Sequence, residues 1–261
     1  MASSDIASGA HLVLYDALTA PRQSVTLTAE LLEQHFLRTS GLGGEVLLFE
    51  HQGRPVGQAM TGGDGRAVKT FVPTTLGMSV VSAHLARSRR VPPTDATARL
   101  FVWERNRPII LISLPALSSR STSRGPILPF AKSDGPFPDP EPEAVRMLST
   151  IARRHALIYL CASDPLQLGS LREWAERHRL PPGPMVLIRG AQDFADELDR
   201  LGGEGWTGMR TGLASTPGEA KAFLDRGRRA VMPPAASRQQ WPAGALQPKD
   251  WKDAGRRLAA A

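Results

Sequence analysis

Cysteine is almost missing: Cys161 stands alone in 261 residues. One thiol excludes an internal disulfide framework and any cysteine-rich zinc site. Aromatic residues make up only 6% of the chain, and no zinc-finger or RNA-recognition motif accompanies them. Nucleic acid is therefore not the expected partner. No stretch approaches the roughly 18 apolar residues of a membrane-spanning helix, so the chain is not expected to be transmembrane. The first ten residues lack a basic segment followed by an apolar one, which argues against a secretory leader and for a cytoplasmic location. The six histidines, at 11, 35, 51, 84, 155 and 178, show no metal-ligand spacing.

What is plentiful is turn chemistry. Gly 24 and Pro 22 argue against a helical bundle. Hydrophobic content of 41% with 22% charged residues suits a folded chain of one or two domains. The net charge of +7 is uneven. Residues 226–261 hold eight basic side chains against Asp250 and Asp253. Residues 241–261 read as a solvated basic tail, with phosphates of an anionic lipid as the partner such a tail would meet.

Residues 10–90 read as all-β. Ser24–Leu31 alternates apolar and polar residues, the period of a half-buried strand. Glu45–Glu50, Val56–Thr61, Ala67–Val72 and Met78–Leu85 follow, separated by turn signals at Gln52–Pro55, Gly62–Gly65 and Pro73–Gly77. Asp16 lies at the end of a short strand, but Leu18 stands two residues on and a β domain follows, which favours a structural role. The strand opening Gly44-Glu45-Val46, the hairpin Gly53–Gly57 and the turn Asp64–Ala67 resemble bacterial immunoglobulin-like domains. That resemblance implies a β-sandwich and no chemistry.

Residues 87–99 read as a link, and residues 100–240 as an α/β domain. Arg107–Leu114 and Ala156–Ala162 are continuous apolar runs, as in strands buried on both faces. Residues 118–142 read as a long loop. Helices are predicted over Glu143–His155, after Asp164-Pro165 with Leu168, Leu171, Trp174 and Ala175 inward, around Phe194, Leu198 and Leu201, and after the capping box Thr216–Glu219. Met185–Ile188 reads as a third strand and Arg229–Pro233 as a fourth. Alternation of strands and helices predicts a parallel sheet whose chemistry lies at the carboxyl strand ends.

The segment Ile158–Leu168, with Leu171–Trp174 and Leu180–Leu187 after it, resembles the phosphatidate phosphatase catalytic domain of a fungal actin-patch phosphatase and its bacterial relatives, related to the lipin C-terminal domain, within the haloacid dehalogenase superfamily. The resemblance implies a three-layer fold, often preceded by a β domain. It also implies an Asp nucleophile and an Asp general acid after the first strand, a hydroxyl after the second strand, a later Lys on the phosphoryl oxygens, and acids that bind Mg²⁺. On this chain, Ser113 falls on the nucleophile position and Pro115 on the general acid. Cys161 or Ser163 falls on the hydroxyl position, and Lys221 matches the lysine. No acid follows Arg229–Pro233 before Asp250. A hydroxyl is a poor substitute for a charged Mg²⁺ ligand, and proline has no proton to give.

The expectation is a catalytically degenerate, phosphatase-like binding or scaffold protein, without catalytic or metal-binding residues or a cofactor. Ser163 and Lys221 are its candidate contacts to a phosphate-bearing ligand. The alternatives are an active Mg²⁺-dependent phosphatidate-type phosphatase and a protein that binds an anionic surface, lipid or nucleic acid, through its basic tail.

Overall fold

The computed structural model describes residues 9–35, 38–118, 138–189, 191–234 and 240–260. The chain divides into two compact units, Met1–Glu104 and Arg105–Ala261.

In the first unit, alternation builds two sheets. Its strands are β1 (Gly9–Leu14), β2 (Ala17–Thr19), β3 (Val25–His35), β4 (Arg38–Gly41), β5 (Val46–His51), β6 (Arg54–Met60), β7 (Arg66–Phe71), β8 (Gly77–Leu85) and β9 (Asp95–Val102). The long β3 carries β1 along one edge, and β7 and then β4 along the other. The second sheet runs β2-β9-β8-β5-β6. Leu14, Leu27 and Leu31 from the first sheet meet Leu47, Phe49, Val81 and Leu100 from the second in one core. Full burial of such a side chain contributes roughly 1.5–3 kcal/mol. This is a two-layer β-sandwich.

The chain changes sheets between β1 and β2, and the crossing is pinned at Asp16. Its Oδ1 accepts the Arg99 backbone N–H at 3.0 Å, while the neighbouring Tyr15 hydroxyl donates to Glu30 at 2.8 Å. The β5–β6 hairpin turns through Gln52 and Gly53, both with positive φ, the geometry that matches strand twist in a two-residue turn. Gly65 has φ +78, and a Cβ there would stand 2.3 Å from the Leu31 carbonyl. Only glycine fits this position.

The boundaries differ from those predicted. β9 extends the sandwich beyond residue 90, across the segment read as a link. Its burial alternates only faintly at Asp95–Thr97, where small and polar residues conceal the strand.

The second unit is a parallel sheet with order β12-β11-β10-β13-β14. Its elements are β10 (Ile109–Ser113), α1 (Pro142–Ile151), β11 (Ala156–Cys161), α2 (Leu168–Arg177), β12 (Met185–Leu187), α3 (Ala191–Gly203), β13 (Met209–Leu213), α4 (Pro217–Asp225), β14 (Arg229–Val231) and α5 (Trp251–Ala259). Every residue of β10 and β11 is buried. α1 buries Ala144, Met147, Leu148 and Ile151.

Two corrections matter for function. β13 was not anticipated, so Arg229–Val231 is the fifth strand and not the fourth. Residues 241–261 are not a free tail: α5 buries Trp251, Ala254 and Leu258, and the Trp251 indole donates to Glu141 at the start of α1 at 2.5 Å. Residues spaced i, i+3 and i+7 form an inner stripe that charge counting conceals. No described helix is long and apolar enough to cross a membrane. The predicted loop residues 119–136 and Ser237 lie outside the described residues.

Candidate functional site

β10 connects towards β11 on one side of the sheet, and β13 returns to pair on the other. The sheet order therefore reverses between β10 and β13, and the carboxyl ends of these two strands border the crevice where ligands of open parallel sheets bind. Ser113 ends β10. Ser215 stands two residues beyond β13. Glu219 follows in the first turn of α4.

These three side chains meet. The Ser113 hydroxyl donates to Ser215 Oγ at 3.1 Å, and Ser215 Oγ donates to the Glu219 carboxylate at 2.9 Å. The Ser215 backbone N–H also donates to Glu219, at 2.6 Å. Thr216 caps α4 by accepting the Glu219 backbone N–H at 3.2 Å, which holds the carboxylate back over the strand end. Gly212 assists from below: the Phe223 ring of α4 lies where a Cβ would stand, at 2.3 Å, so helix and strand approach closely.

Burial raises the pKa of Glu219, and this outweighs the opposing hydrogen bonds from the Ser215 backbone, the Ser113 and Ser215 hydroxyls and the Thr216 backbone. Ser113 is only 1% exposed and Ser215 5%. The cluster is a polar latch, buried at both serines and half-buried at Glu219, joining two strands and a helix. Its chemistry is proton sharing between two hydroxyls and one carboxylate. Among the described residues no histidine or lysine hydrogen-bonds to Ser113, and its burial leaves little of its oxygen open to an ester.

The other predicted residues have contacts of their own. Pro115 is half-buried in a 3-10 turn, Leu114–Leu117. Ser163, past the end of β11, bonds to Gln167 at 3.1 Å. Asp164 accepts the Leu166 N–H at 2.9 Å, a capping role. Cys161 is fully buried. Lys221 lies on the exposed face of α4 and holds Asp225 at 2.7 Å.

Sequence reasoning missed Ser215, and it treated Glu219 as a cap only. The signal was Gly212-Leu-Ala-Ser215 directly before a capping box, the pattern of a strand entering a helix. With β13 counted, Glu219 is the first acid after the fourth strand of the second unit.

The Mg²⁺ implied by the dehalogenase resemblance does not fit these residues. Mg²⁺ requires hard oxygen donors, commonly one or two carboxylates. The latch offers one carboxylate, already engaged by hydroxyl and amide donors. Among the described residues, no group of three His, Cys, Asp or Glu side chains is arranged to hold a metal.

No protein-family model matches the chain, and neither does any curated protein. Among solved structures, the fibronectin(III)-like modules of Clostridium thermocellum CbhA align at 11% identity over 36% of this chain and 96% of theirs, with a TM-score of 0.25. The D0-D1 domain of intimin aligns at 18% identity over 36% of this chain and 50% of that one, with a TM-score of 0.28. A putative β-galactosidase from Bacteroides fragilis aligns at 12% identity over 86% of this chain and 38% of that one, with a TM-score of 0.30. These scores assign neither a family nor an activity.

Proposed function

We propose that the second unit is a dehalogenase-type phosphatase domain that has lost its catalytic groups and serves as a binding or scaffold module. The observation that supports this reading is the composition of the crevice at the end of β10. Where the family it resembles carries an attacking and a protonating carboxylate, this chain has Ser113, tied to Ser215 and Glu219, and Pro115. Loss of one member of a catalytic unit commonly costs a factor of ~10³ or more, and here both first-strand acids are replaced. Ser163 and Lys221 remain the residues a phosphate would meet in this reading, although each already has a neighbour, Gln167 and Asp225.

The test is a phosphatase assay with Mg²⁺ on p-nitrophenyl phosphate and on phosphatidate, alongside a calorimetric Mg²⁺ titration. The expected result is no turnover and no tight metal site. Turnover that disappears in Ser113→Ala would overturn the reading and restore an active phosphatase.

A further inference from the structure

A groove of about 800 Å³ lies between α1 and α5. Its floor is apolar, with Met147, Ile151 and Trp251 each nearly buried. Its rim is cationic. Arg146, Arg153, Arg154, Lys252 and Arg256 all line it, against Glu143 and Asp250.

Both acids are already engaged: Glu143 lies 3.9 Å from Arg146, and Asp250 caps α5 by accepting the Asp253 N–H at 2.6 Å. Arg256 pairs with Asp253 at 3.2 Å. Arg153, Arg154 and Lys252 have no ion-pair partner among the described residues. His155 lines the same groove, and its Nδ1 is buried without a hydrogen-bond partner among the described residues.

We propose that this groove binds a single-chain amphipathic phosphate, with an apolar body on the Met147–Ile151–Trp251 floor and a phosphate head at Arg153 and Arg154, just past the end of α1. The volume is that of a small-ligand site, which typically spans roughly 300–1,000 Å³. Two adjacent arginines without an ion-pair partner among the described residues suit a phosphate ester of charge roughly −1.5 to −2. A bilayer surface fits less well, because the apolar side chains are recessed and cannot protrude into lipid. The groove lies on the helices, away from the β10 crevice, so this proposal stands independently of the phosphatase reading.

Calorimetry on the full chain tests it, with decyl phosphate kept below its micellar concentration. Expected is saturable one-site binding, with decanol and inorganic phosphate each at least tenfold weaker, since each lacks one half of the ligand. The exposed-site double variant Arg153→Gln/Arg154→Gln should weaken binding at least tenfold while leaving the melting temperature unchanged. Ala259→Trp, which narrows the groove without removing charge, should weaken it as well. Absence of saturable heat, or binding that neither variant affects, overturns the proposal. So does binding only to phosphatidate vesicles, which would make the surface a membrane contact.

Discussion

The two units hide their apolar residues in opposite ways. In the sandwich a central strand such as β3 buries one face, so it alternates and tolerates Thr26, Thr28 and Glu30 on its outer side. In the parallel sheet, β10 and β11 bury both faces and admit no charged residue. One-faced strands can carry polar residues anywhere along their length, and those residues then have no special meaning. In a two-faced sheet, polar side chains are displaced mainly to the strand ends. A serine at the end of β10 is therefore informative in a way that a threonine within β3 is not.

That contrast can be tested, beginning with its largest expected effect. Gly65→Ala in the sandwich forces a Cβ to within 2.3 Å of the Leu31 carbonyl at a positive φ. Backbone strain and overpacking together predict a loss of about 3 kcal/mol or more in denaturant unfolding. The same change at Gly169 on α2, where a Cβ meets nothing within 4 Å, should instead stabilise by roughly 0.5–1 kcal/mol. Equal effects at the two sites would break the comparison.

Next is Ser113→Asp. It sets a second carboxylate against Glu219 in a buried crevice and should cost about 1–3 kcal/mol at neutral pH, less at pH 5, by thermal melting. Recovery of the lost stability with millimolar Mg²⁺ would mean that the metal site is one substitution away.

Glu219→Gln sharpens the picture through pH. The folded protein holds the Glu219 proton more tightly than the unfolded chain, so its folded pKa lies above the ordinary 4.5. Its contribution is fully present below that value and is lost as pH rises through the folded one. The glutamine variant should remove this decline, so that its stability falls less steeply than the parent's as pH rises through the interval. Asp253 behaves in the opposite sense. The Arg257 hydrogen bond holds its pKa below the usual range, so its contribution is lost on acidification.

The smallest effect is expected at Lys221→Ala. An exposed i,i+4 pair with Asp225 contributes at most about 0.5 kcal/mol. Loss of a phosphate-induced rise in melting temperature in this variant would give Lys221 a role beyond that pair.

Much of the fold was legible in the sequence because side-chain period reports burial. The alternation in β3 and the apolar runs of β10 and β11 marked those strands directly. The misses share a cause. β13 reads Met209-Arg-Thr-Gly-Leu213, too short and too polar to look buried, yet it lies inside the sheet because its neighbours β10 and β14 pair with both of its edges. Missing it shifted the strand count by one and sent the search for an acid past Glu219. α5 was hidden for a different reason: its charges dominate the composition, while Trp251, Ala254 and Leu258 are too few to stand out. The meeting of Ser113 with Ser215, 102 residues apart, could only come from the strand order.

The packing of α5 on α1 has a practical consequence for anyone trimming this molecule. A shortened chain ending near residue 240, chosen to discard an apparently dispensable basic extension, would uncover Met147 and Ile151 and leave Glu141 without its indole partner. Such a truncation should yield inclusion bodies in place of a tidier domain.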